Sequence, residues 1–225
     1  MKKTVFALLF FSFGTLLAQE ESKPKDSTCT DKVKFNMSIG FNVLANDAFN
    51  LNKKLRSQNI TELNETIPSL VLGLDFFGEK MSGDIEFGFL YSNPDQNSVE
   101  ILQVGFDIRS KVHYNVVNKE KFAFTTGLSL AFTTNEIDIF SKSNTIDLND
   151  LNPSNNSGHI SLTNQMFYAG PSFSLYLFKK SFPIKVNAGY EFGLTRGRYK
   201  SDFGSVINNI RENGNNRFVF GFVIL

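Results

Sequence analysis

His159-Ile160-Ser161 is a place in this sequence where two reactive side chains stand at a useful spacing. Residues two apart on an extended strand share a face. An imidazole there could reach the hydroxyl, and a nucleophilic serine needs such a base within hydrogen-bond reach. It also needs a third group to orient the base. No carboxylate follows on the same segment, and the nearest later one is Glu191. The plainer reading is two polar residues at the edge of a loop. Other chemistry has less to build on. With 2 histidines and 1 cysteine, a transition-metal site lacks ligands, so no metal and no cofactor is expected. Asp147-Leu148-Asn149-Asp150 has a faint calcium-ligand look but neither the spacing nor the terminal Glu of an EF-hand. His113, close to Lys111, reads as an interior or interfacial polar residue.

The elements that must position these residues begin after an export signal. Met1-Lys2-Lys3 is basic and Val5 to Leu17 is apolar, too short for a membrane helix of about 20 residues. This predicts a signal peptide over 1–18. Residues 19–32, rich in Glu, Lys, Ser, Asp and Thr, predict a solvated linker. Cys29 is the only cysteine, which rules out an intrachain disulfide. Net charge is +1 and no basic face dominates, so nucleic acid is not an expected partner.

From residue 33 onward the pattern is strict alternation. Val33, Phe35, Met37, Ile39, Phe41 and Val43 form one face of a first strand, and Lys34, Asn36, Ser38, Gly40 and Asn42 the other. Further strands are predicted at about Ser69–Phe77, from Met81 to Tyr91, from Leu102 to Tyr114, from Phe122 to Thr133, from His159 to Leu177, from Ile184 to Leu194, and from Arg217 to the closing Ile224. Pro171 cannot donate to a ladder, so a bulge or bend is expected there. Asp47 is placed to cap a short helix carrying Ala48, Leu51 and Leu55, and a second short helix is expected near Ser205. The connections alternate between tight turns and long polar loops, the longest at about Asn135 to His159. Eight antiparallel strands on this plan predict an all-β, up-and-down transmembrane β-barrel over 33–225, with both chain ends on the short-turn side.

The polar face decides which way the barrel is turned. A basic residue on the lipid side at mid-membrane costs about 2–4 kcal/mol. The face bearing Asp107, Arg109 and Lys111 must therefore point inward if the barrel spans a membrane. The same face gathers Asp75, Asp84, Glu86, Lys185, Glu191 and Arg217, which could pair with one another, and many glycines that suit a crowded interior. Phe218, Phe220, Phe222 and Ile224 then face lipid, while Tyr91 and Tyr114 mark the band's edges. The rival from another class is an exported soluble, lipocalin-like barrel with the polar face outside and a small apolar ligand within.

Segments such as Gly170-Pro171-Ser172-Phe173-Ser174-Leu175 and Asn187-Ala188-Gly189-Tyr190-Glu191-Phe192-Gly193, on this eight-strand plan, resemble the small outer-membrane β-barrels of Gram-negative bacteria, the OmpA/OmpX-like and PorT-like families. The resemblance implies an outer-membrane protein with periplasmic termini, inserted by the barrel-assembly machinery and acting as a monomer in a structural, adhesive or accessory role. Members commonly end in Phe or Trp, whereas this chain ends in Leu225. His159 and Ser161 are also similar to the His-x-Ser pair of outer-membrane lipid A deacylases, which implies an esterase as an alternative. Arg196, Arg198 and Lys200, just past the seventh strand, are placed to meet lipopolysaccharide phosphates.

Overall fold

A computed structural model describes residues 33–94, 99–142, 158–177 and 183–225. The expected signal peptide, the linker with Cys29, and Asp147 to Asp150 lie outside the described residues. In chain order the elements are β1 (Lys34–Asn46), α1 (Asn50–Ser57), β2 (Thr66–Phe77), β3 (Met81–Ser92), β4 (Val99–Asn118), β5 (Phe122–Ser141), β6 (His159–Leu177), β7 (Ile184–Gly193), β8 (Gly197–Arg198), β9 (Arg211–Glu212) and β10 (Arg217–Ile224). All but β8 and β9 close into one antiparallel ring, in the order β1-β10-β7-β6-β5-β4-β3-β2. The apolar last strand thus finds partners on both edges, β1 and β7, and no open edge is left to aggregate.

The β1–β10 seam runs from Ile39 opposite Ile224 to Asn46 opposite Arg217. Gly40 sits where it is tightest. A Cβ there would collide with the Phe222 carbonyl oxygen and lie 2.7 Å from Val223 Cα. Gly40→Ala is therefore expected to lower the yield of closed barrel, read as the compact band on an unheated SDS gel. Gly204→Ala, with open space around the same point, should leave that yield unchanged.

Alternation sets what each face meets. Phe35, Met37, Ile39 and Phe41 of β1, Leu70, Leu72 and Leu74 of β2, Ile85, Phe87 and Phe89 of β3, and Phe218, Phe220 and Phe222 of β10 all point outward and are exposed. Their neighbours in sequence, among them Asp75, Asp84, Glu86 and Arg217, point inward and are buried. Tyr91 and Tyr114 are on the apolar side, each toward the C-terminal end of its strand and so, because β3 and β4 are antiparallel, toward opposite ends of the wall.

Toward the long-loop end the two faces exchange character. β4 and β5 are 20 residues each, about twice what a tilted membrane crossing needs. On β5 the outward positions change from Leu128, Leu130 and Phe132 to Thr134, Glu136 and Asp138. The inward ones change from Ser129 and Thr133 to Ile137 and Ile139. Ile137 and Ile139 join Leu44, Ile67, Leu90 and Ile101 from neighbouring strands, with Phe49, Leu51, Leu55, Leu63, Tyr199 and Val219, in one buried apolar cluster. The expected loop from Asn135 is therefore strand as far as Ser141, because the period of two continues while its polarity reverses.

Three local expectations also change. α1 starts at Asn50 behind Phe49, Ala48 is exposed, and Asp47 accepts from the Asn216 backbone N–H instead of capping the helix. No helix forms near Ser205, and a two-residue pairing, β8 with β9, organises that connection instead. Pro171 interrupts the β6–β7 ladder without shifting its register. The β6–β7 ladder skips Gly170 and Pro171 and resumes in the same register at Ser172, while the irregularity falls on β4–β5 between Asn115 and Val117.

Candidate functional site

The charged inward residues come from strands spread round the ring and meet on its axis. Arg109 on β4 donates from Nε to Glu191 Oε1 at 2.8 Å, and its Nη2 lies 3.0 Å from Asp107 Oδ2. Arg217 on β10 donates from Nε to Glu191 Oε2 at 2.7 Å, from Nη2 to Asp107 Oδ1 at 2.9 Å and from Nη1 to Thr133 Oγ1 at 2.9 Å. Two guanidinium forks thus hold two carboxylates, a geometry that ammonium groups cannot reproduce. Tyr168 lies flat beneath the Arg217 guanidinium, 3.8 Å from its ring centroid. Ser129 adds a 2.7 Å bond to Glu191 Oε1.

A second cluster sits beside the first. Lys185 on β7 reaches Asp84 at 2.6 Å and Asp75 at 2.9 Å, and Lys111 on β4 reaches Glu86 at 2.7 Å and Asp84 at 3.3 Å. Tyr176 donates to Asp75, and Asn42 and Asn187 donate to Glu86. Arg109 Nη1, 3.9 Å from Glu86 Oε2, links the two clusters. Toward the short-turn end, His113 Nδ1 lies 2.8 Å from Thr125 Oγ1 and Nε2 lies 2.7 Å from Ser172 Oγ. Thr133, Tyr168, Tyr176, Asn42 and Asn187 were not singled out in the sequence. The available signal was their inward parity, which a phenol or an amide does not by itself declare.

Chemically this interior is a filled polar core. Each charge is desolvated and each is compensated, so the network favours one arrangement of strands over any that misaligns a partner. The cavity beside Arg109, Lys111, Ser129, Ser172 and Glu191 measures about 10 Å³, room for at most about one water. Among the described residues, no group of His, Cys, Asp and Glu is arranged to hold a metal ion.

His159 and Ser161 each contact a different side chain of β5. His159 Nε2 lies 3.0 Å from Asp138 Oδ1, and its ring stacks on Phe140. Ser161 Oγ donates to Glu136 Oε1 at 3.5 Å. Each partner is thus engaged by its own β5 carboxylate, and Glu191, the candidate third member, is buried in the ring interior. The sequence placed Glu136 and Asp138 in a loop, which hid both contacts.

Over the long-loop end lies α1, whose Leu51 and Leu55, one turn apart, are buried in the apolar cluster. No side chain at its own N-terminus caps it. Glu212 on β9 does so from a distance, accepting from the backbone N–H groups of Asn50 at 2.7 Å and Leu51 at 3.0 Å, and from the Tyr199 hydroxyl at 2.7 Å. Glu212→Ala strands these donors and is expected to cost about 2 kcal/mol of barrel stability, measured by urea unfolding in lipid vesicles. Burial, and then the adjacent Glu212 carboxylate, push the Tyr199 phenol above the ordinary tyrosine range. Its contribution to stability is therefore complete below about pH 10, the unfolded value, and lost as pH climbs through the folded one. Subtracting the phenolate absorbance titration of Tyr199→Phe from that of the wild type should show this late ionisation.

Arg196, Arg198 and Lys200 are exposed beside β6, on the outer wall of the ring. No family model matches the sequence, and no curated protein matches it. Among solved structures, two of Ail, the attachment invasion locus protein of Yersinia pestis, align with the chain at 8% identity, covering 84% of it and 96% of their own length. One, with a TM-score of 0.46, is of Ail itself, and the other, at 0.44, is of Ail in complex with the heparin analogue sucrose octasulfate.

Proposed function

We propose that this chain is an integral outer-membrane β-barrel protein that holds and presents its long-loop end at the cell exterior, in a structural or adhesive role. The observation that carries this is the polarity of the wall. An apolar band surrounds the ring, charged residues fill it, and both signs reverse at about Thr134, where β5 leaves the band. A hydrocarbon surround makes exposed Phe, Leu and Ile favourable on every ring strand and confines the charged side chains to the inside, where they pair with one another. A soluble barrel with an apolar ligand would need the opposite, a polar wall around an apolar cavity. Among the described residues no helix is long and apolar enough to cross a membrane.

The chain ends and the short turns then lie on the periplasmic side, and the barrel-assembly machinery inserts the chain as a monomer. The filled interior favours a presenting role over a conducting one. Cell fractionation tests the proposal: the protein should sediment with outer membranes and run faster on SDS gels before heating than after. A freely soluble periplasmic protein would sink it. Reconstituted into a planar bilayer, the barrel should give no steady conductance.

A further inference from the structure

We infer that the outer wall of the barrel, just above its apolar band, carries a site for the phosphate groups of a lipid headgroup, formed by Arg196, Arg198, Lys200 and Arg211 with Thr163 and Gln165. The inference rests on the membrane placement proposed above and adds a ligand to it.

The site is built by the chain beyond β7. Past Gly193 the backbone stays against β6: the Leu194 N–H donates to the Phe167 carbonyl at 2.8 Å, and Thr163 and Lys200 exchange backbone bonds of 2.7 and 2.9 Å. Gly197 and Tyr199 are turned inward and buried, the first against Met166 and the second against Glu212. Arg196, Arg198 and Lys200 are left on the outer face. β8 then pairs with β9 so that Arg198 stands directly opposite Arg211. Arg196, Arg198 and Lys200 line a groove of about 250 Å³ with Thr163 and Gln165, and Arg211, paired with Arg198 and so on the same face, stands beside it.

Among the described residues no ion pair holds these cations, although Asp202 lines an adjoining open pocket together with Arg198 and Lys200. The carboxylates across the sheet, Glu136 and Asp138, are engaged by Ser161 and His159. Like charges placed directly opposite on paired strands destabilise the pairing unless a counter-charge joins them. Phosphate suits the gap, since a guanidinium binds it through two parallel hydrogen bonds. The position points to a lipid rather than free phosphate. The exposed side chains of Phe167, Phe192 and Leu194 lie next along the same wall, where acyl chains would rest while the phosphates reach the cations.

The test is selective lipid capture in nanodiscs of phosphatidylcholine doped with lipid A, with bound lipid A counted by native mass spectrometry. Wild type should retain lipid A over phosphatidylcholine, and Arg196→Gln/Arg198→Gln/Lys200→Gln should weaken that retention by about tenfold. Lys53→Gln/Lys54→Gln on α1 should retain it as wild type does. Equal loss in the α1 variant, no preference in the wild type, or displacement of lipid A by inorganic phosphate at matched concentration would overturn the site. Incorporation and faster unheated gel migration are scored first. Failure there refutes the membrane placement, whereas an incorporated barrel without lipid preference refutes only the headgroup site.

Discussion

Arg109→Ala is expected to destabilise the folded barrel by about 3–5 kcal/mol, the cost of leaving buried carboxylates without their partner. Glu191 would keep Arg217, at 2.7 Å, but Asp107 would lose its 3.0 Å neighbour and Glu86 its link to the first cluster. Arg109→Lys keeps the charge and loses the fork, so it should fall between the wild type and the alanine variant. Glu191→Ala alone should cost a similar amount, since it strands both Arg109 and Arg217. In a double-mutant cycle the pair should cost clearly less than the sum of the two, because each single change strands the other's charge. Urea midpoints in lipid vesicles measure all of these.

The second large effect is on the other face. Leu72 points outward on β2, midway between Ile39 on β1 and Phe87 on β3. Leu72→Arg should cost about 2–4 kcal/mol in a bilayer, as a cation held at hydrocarbon depth. The same substitution on a water-exposed wall would change stability by no more than about 0.5 kcal/mol. Glu136→Arg, outward on the same ring but above the band, should behave in that second way. The contrast between the two sites is independent of any interior contact.

Much of the fold could be read because one rule, alternate residues on alternate faces, runs through the ring strands with one register shift, between Asn115 and Val117. Arg217 and Glu191 have the same parity on their strands, and they prove to be direct partners across the β10–β7 ladder. The rule gives parity but not the solvent outside. Ile137 and Ile139 keep the parity of Ser129 and Thr133, yet the change of surroundings above the band reverses which side is apolar. A pattern searched for one polarity therefore ends the strand too early, and Glu136 and Asp138, with their contacts to Ser161 and His159, disappear into a supposed loop. The α1 cap was hidden for another reason. Asp47 had the right side chain at a local spacing, but Glu212, more than 150 residues away in the chain, reaches the helix only after the ring closes.

The most direct measurement uses the absence of tryptophan from the sequence. A single Trp placed at Phe87, outward in the apolar band, or at Phe49, buried in the apolar cluster at the long-loop end, reports its own surroundings. In vesicles of chain-brominated phospholipid, Phe87→Trp should be strongly quenched and Phe49→Trp should retain its emission. A barrel that folds without lipid and leaves Phe87→Trp unquenched would contradict the membrane-spanning wall.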